Sequence, residues 1–160
     1  MSSSQPKPLV LPAKRTTVVV RDLKRSREFY ESCLKLEVFY EGFVGNPGAS
    51  SLLGYQCEGL NMVVLQSDHP QLGMIGLMEV VEPDPPLSNP KPGGPLAYGE
   101  TVIVIPTSDM TALMGRLKAA EADIIGEPVR LKIPNRGEIH EVFVRDPDGV
   151  MLNFSYHGSL

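Results

Sequence analysis

The chain has 160 residues, 42% of them apolar and 21% charged, with a net charge of −4. That length suits one compact domain or two small modules sharing a core. The acidic balance argues against nucleic acid as partner, no apolar run reaches the roughly 20 residues that span a bilayer, and no targeting signal precedes the polar start, so a cytoplasmic protein is expected.

Residues 1–12 are Ser- and Pro-rich and read as a disordered tail. Thr16 to Val20 is β-branched and predicts a strand. Asp22 then caps a helix over Leu23 to Leu34, with Phe29, Tyr30, Cys33 and Leu34 on one face. Lys24, Arg25 and Arg27 cluster there, but Glu28 and Glu31 follow, so the face is a solvated one. Val38 to Val44, Leu60 to Leu65 and Met74 to Val81 predict three more strands. Between the first two of these, Gly45 to Gly59 holds Asn46-Pro47-Gly48 and reads as an irregular flap over a pocket.

Residues 82–96 carry Pro83, Pro85, Pro86, Pro90, Pro92 and Pro95, too many for a helix or a central strand, and form a linker. The pattern then repeats. Thr101 to Ile105 is a strand, Ser108 or Asp109 caps a helix over Met110 to Glu121, and Ile124 to Leu131 is a strand broken by Gly126 and Pro128. Glu138 to Val144 and Val150 to Tyr156 close a hairpin around Asp146-Pro147-Asp148-Gly149, where Pro presets φ and Gly accepts a positive one. The fold class is therefore α+β: tandem βαβββ modules, 13–81 and 97–157, each with one sheet face under its helix, together forming a curved eight-stranded cleft. Such a cleft is a natural small-molecule site. Cys33 and Cys57 lack metal-like spacing and read as two reduced thiols.

Two stretches carry a family resemblance. Val18-Val19-Val20-Arg21-Asp22-Leu23-Lys24-Arg25-Ser26-Arg27-Glu28-Phe29-Tyr30 resembles the strand-into-D-L-x-x-S-x-x-F-Y-helix of the vicinal oxygen chelate superfamily. Phe143-Val144-Arg145-Asp146-Pro147-Asp148-Gly149 resembles its closing F-x-x-D-P-D-G hairpin. That superfamily includes glyoxalase I, extradiol dioxygenases and bleomycin-resistance proteins, so the resemblance implies the fold more than any one activity.

In glyoxalase-like members four cleft positions commonly bind a divalent metal through His and Glu. The matching positions here are Arg15, Glu79, Glu100 and Asn153. A guanidinium offers only donors and repels a dication, so the resemblance implies no conventional metal site and no cofactor, a divalent ion through other ligands being the exception. The ion pair of Arg15 with Glu79 or Glu100 is one expectation, a brace across the cleft floor. The other gives Arg15 a substrate carboxylate, phenolate or enolate, with Glu100 as general base. Strand parity from Asn153 and Phe143 puts Glu141 on the cleft face as a second acid/base candidate and His140 on the helix side, where it is held as a third. Tyr98 and Phe143 are candidates to line the pocket beside Arg15, Glu79 and Asn153. The expected activity is a metal-independent isomerase or lyase working by proton transfer on a small anionic or aromatic molecule. The alternatives are a non-catalytic protein that sequesters such a molecule and a degenerate partner subunit. The resemblance also implies a homodimer, its clefts built within one chain or between two.

Overall fold

The computed structural model describes residues 13–69, 72–85, 99–133 and 137–158. The predicted tail, residues 86–96 of the linker and Tyr98 lie outside the described residues. Module one contains β1 (Arg15–Val19), α1 (Leu23–Glu28), β2 (Glu37–Gly45), α2 (Gly48–Leu53), β3 (Gly59–Gln66) and β4 (Met74–Val81). Module two contains β5 (Val102–Pro106), α3 (Met110–Ala119), β6 (Asp123–Ile133), β7 (Gly137–Arg145) and β8 (Met151–Tyr156). The strands form two four-stranded mixed sheets, β1-β4-β3-β2 and β5-β8-β7-β6. In each, the first strand runs parallel to the last and the other pairs are antiparallel. The architecture is α+β, two βαβββ modules, and no strand pairing joins the sheets among the described residues.

Both main helices start as their caps dictate. The Asp22 carboxylate accepts from Arg25 N at 2.9 Å and that of Asp109 from Ala112 N at 2.8 Å, each taking an orphan N–H of the first turn. After Glu28 the first helix widens into a π turn, Phe29–Cys33, which points Phe29, Tyr30 and Cys33 inward together. Two features depart from the sequence reading. The stretch read as an irregular flap contains α2, ended by Gly54 in the left-handed region at φ 75°. The interruption at Gly126 and Pro128 is a bulge inside one long strand, β6, with the register shifting between Ile125 and Val129. An edge strand tolerates it, because one side of its backbone has no partner to lose.

One hydrophobic core joins the modules on their helix sides. Val18, Tyr30, Leu65 and Leu77 of the first pack in the same cluster as Leu117, Val144, Leu152 and Phe154 of the second. The Asp-Pro-Asp-Gly turn locks this seam. Tyr30 OH donates to Asp146 Oδ2 at 2.8 Å, Ser26 Oγ donates to Asp148 Oδ2 at 2.5 Å, and Arg21 donates from both N and Nε to Asp148 Oδ1. Burial pushes the Asp146 carboxyl above its ordinary range, while the donors from Tyr30, Val150 and Asp148 pull it partly back. No helix among the described residues is long and apolar enough to cross a membrane.

Candidate functional site

With the helices on one side, each sheet presents its other face outward, and alternation decides which residues stand there. On β4 the core takes Ile75 and Leu77, so Met74, Gly76, Met78 and Val80 belong to the open face. Registers then give rows across module one. Arg15 pairs with Met74, Thr17 with Gly76 and Gly76 with Val64, and Tyr40 pairs with Val64 beyond them. The next row is Val19, Met78, Met62 and Gly42. The far end is closed by α2, where Ala49 and Cys57 pack on Leu60 and Val80 with Met78 alongside. At the other end Arg15 and Thr17 are themselves exposed, while Met74, Gly76 and Val64 of their rows are buried.

Module two follows the same rule. Val142 and Val144 enter the core, so Ile139, Glu141, Phe143 and Arg145 take the open face of β7, with Met151, Asn153 and Ser155 on β8. One row reads Ile125, Phe143, Asn153, Val104; the next reads Val129, Glu141, Ser155, Pro106. Asn153 is 7% exposed, and its Oδ1 has no hydrogen-bond partner among the described residues. Glu141 makes no hydrogen bond or ion pair among the described residues.

The expected constellation does not assemble. Glu79 lies on the opposite face from Arg15: its Oε1 accepts from Leu23 N at 2.9 Å and its Oε2 from Asn61 Nδ2 at 3.1 Å. It completes the start of α1 instead of lining a cleft, which corrects its assignment to substrate binding. Parity is the reason, because Glu79 alternates with Leu77 and Ile75 of the core; Met78 holds the open-face position. Glu100 is paired with Arg145, whose Nη1 also donates to the Gly149 carbonyl at 2.7 Å. Arg145 is 2% exposed, so this is a nearly buried pair that costs much to break from one side. Arg15 pairs with neither glutamate and has no ion pair or hydrogen bond among the described residues. Its aliphatic stem crosses Gly76: a Cβ built there would stand 3.0 Å from Arg15 Cδ and 3.3 Å from Nε.

His140 takes the helix side, 8% exposed, its ring 6.4 Å from that of Tyr156 and its Nδ1 without a hydrogen-bond partner among the described residues. Residues missed in the sequence are Arg145, Thr17 and Gly76. The parity that placed Glu141 and Phe143 also placed Arg145, and a count of two from Arg15 reached Thr17, so both signals were present.

These residues do not make a metal site. Arg15 has no lone pair to give, Glu79 faces the helix, and Glu100 is already neutralised by a guanidinium. Among the described residues no group of three or more His, Cys, Asp or Glu is arranged to hold an ion.

Residues 13–154 match the family model of the Glyoxalase/Bleomycin resistance protein/Dioxygenase superfamily. The chain belongs to this superfamily. Solved structures agree on the fold. A glyoxalase family protein from Bacillus cereus superposes with a TM-score of 0.78 at 16% identity, covering 96% of this chain and 98% of that one. A glyoxylase/bleomycin resistance protein/dioxygenase domain from Frankia sp. gives 0.61 at 18%, covering 93% and 99%. The trypanothione-dependent glyoxalase I of Leishmania major gives 0.59 at 18%, covering 88% and 83%. Among curated proteins none matches the chain in sequence. Within the superfamily, then, this member has the two modules and the closing turn.

Proposed function

We propose that this superfamily member is a metal-independent isomerase or lyase that moves a proton on a small anionic, partly apolar or aromatic molecule. Arg15 binds the anionic group, Glu141 takes and returns the proton, and Asn153 and Phe143 orient the substrate. One observation carries the reading: among the described residues Arg15 and Glu141 stand unpartnered on open faces, whereas Glu79 and Glu100 are spent on α1 and on Arg145. The general-base role expected of Glu100 therefore passes to Glu141. A carboxylate beside Phe143 and Val129 is a suitable base, since it sits between polar and apolar neighbours.

The sequestering alternative calls for Arg15 and both cleft glutamates engaged only with each other, and Arg15 engages neither. Val19, Tyr40, Val104, Ile125 and Val129 are 42–58% exposed on the open faces, which supports a homodimer whose facing sheets cover them. The test is solvent deuterium exchange into an enolisable aryl acid, phenylpyruvate, followed by proton NMR. The protein is expected to speed exchange above the buffer rate, with Glu141→Gln losing at least a hundredfold, about 3 kcal/mol of barrier. No acceleration by the parent, or full acceleration by Glu141→Gln, refutes the assignment.

A further inference from the structure

The missing side chain at position 76 has a use beyond packing. β4 is a central strand, and every other residue on its open face, Met74, Met78 and Val80, is bulky. Along β4 the surface drops at Gly76 alone. Into that gap Arg15 lays its stem, with Thr17 Oγ1 2.8 Å from the place a Cβ would take. A Cβ would meet two side chains of β1, so the glycine's absence of bulk is what makes room for the Arg15 stem beside the Thr17 hydroxyl. Gly76 shows no positive φ, so its backbone does not demand glycine. Polar groups lie nearby as well. Tyr40 ends the same row two strands from Gly76, and in the neighbouring row Gln66, just past Leu65 and its partner Ile75, has a buried Oε1 with no partner among the described residues.

We infer that Gly76 is the seat of an oxyanion receptor: it positions the Arg15 guanidinium and the Thr17 hydroxyl over the middle of the module-one sheet to bind the carboxylate of a flat, aryl-bearing ligand. This rests on the reading of Arg15 given above and adds what holds Arg15 in place and which group it receives. A planar guanidinium offers two parallel N–H donors to a carboxylate, and a side chain fixed before binding loses less rotamer freedom on binding. The half-buried Met62 and Met78 beside the seat supply the apolar surface for the ring. No proton or electron moves in this step; the receptor only binds.

The probe is benzoate, with benzamide as its uncharged isostere, followed by the Arg15 Nε–Hε resonance and by titration calorimetry. Benzoate is expected to shift the Arg15 signal and to bind about tenfold more tightly than benzamide. Gly76→Ala is expected to fold normally, because the displaced groups are a flexible Arg stem and a Thr17 Oγ1 that a χ1 change moves aside, and to weaken benzoate about tenfold. A double-mutant cycle separates the seat from general damage. In an Arg15→Ala background, Gly76→Ala is expected to change benzoate affinity less than twofold. If Arg15→Ala weakens benzoate and Gly76→Ala does not, the seat is wrong while the role of Arg15 stands. If Arg15 gives no response to millimolar benzoate, or benzamide binds as well, both fall. Should Gly76→Ala weaken benzoate equally with and without Arg15, the glycine acts through the fold and the proposal is overturned.

Discussion

Replacing Tyr30 by Phe removes one hydroxyl from the seam between the modules, and the cost can be worked from its partners. Tyr30 is 0% exposed and Asp146 is 4% exposed, and the phenol donates to the carboxylate at 2.8 Å. A hydrogen bond to a charged, buried acceptor contributes about 1.5–3 kcal/mol. Asp146 Oδ1 keeps its bonds from Asp148 N and Val150 N, so the variant loses one donor of three and should still fold. The melting temperature is expected to fall by roughly 3–12 °C, at about 2–4 °C per kcal/mol for a chain of this size. The loss also carries a pH signature. Because burial raises Asp146, the folded protein takes up that proton at a higher pH than the unfolded chain does. Its stabilising share is therefore complete below the unfolded value and lost as pH rises through the folded one. The Tyr30 bond offsets part of that loss by favouring the ionised form. The difference between parent and Tyr30→Phe in urea denaturation should thus be largest near neutrality and shrink toward about 1 kcal/mol, the worth of a neutral bond, once acid protonates Asp146. A difference below about 0.5 kcal/mol at neutral pH, or one that ignores pH, refutes the reasoning.

The remaining predictions concern the same seam and the displaced glutamates. Burial first, then the Asp146 charge, holds the Tyr30 phenol well above its ordinary value, so its contribution to stability is present below about pH 10 and lost as pH rises beyond. Stability above that pH should fall more steeply in the parent than in Tyr30→Phe, by up to about 1.4 kcal/mol per pH unit, read by denaturation at stepped pH; equal slopes contradict it. Glu79→Ala strips acceptors from Leu23 N and Asn61 and should cost about 1–3 kcal/mol while leaving benzoate affinity within twofold. A large change in affinity with unchanged stability would return Glu79 to the ligand site.

Much of the fold was legible because its signals are local. Asp22 and Asp109 announce helix starts, the Asp-Pro-Asp-Gly turn announces the hairpin, and β-branched runs mark the strands. The face on which Glu79 stands was not legible. On β4 the open-face residues Met74, Met78 and Val80 are as apolar as Ile75 and Leu77 of the core face, so alternation gives no direction. The helix α2 escaped because six residues between Pro47 and Gly54 are too few to show a period, and packing on Leu60 and Val80 is what forms it. On β7 the opposite held: Val142 and Val144 are flanked by Glu141 and Arg145, and parity there led to the open face directly. The partner chosen by Glu100 depended on Arg145 and Gly149 lying beside it in space, which no spacing along the chain reveals.

The central claim is that Arg15, Glu79, Glu100 and Asn153 no longer form the metal site their positions resemble. The most direct measurement is equilibrium titration of the metal-stripped protein with Zn²⁺, Ni²⁺ and Mn²⁺, alongside elemental analysis of the protein as purified. The account predicts less than a tenth of an equivalent as purified, and only weak uptake that Glu100→Gln and Asn153→Ala leave unchanged. One tightly bound equivalent that either substitution abolishes would contradict it.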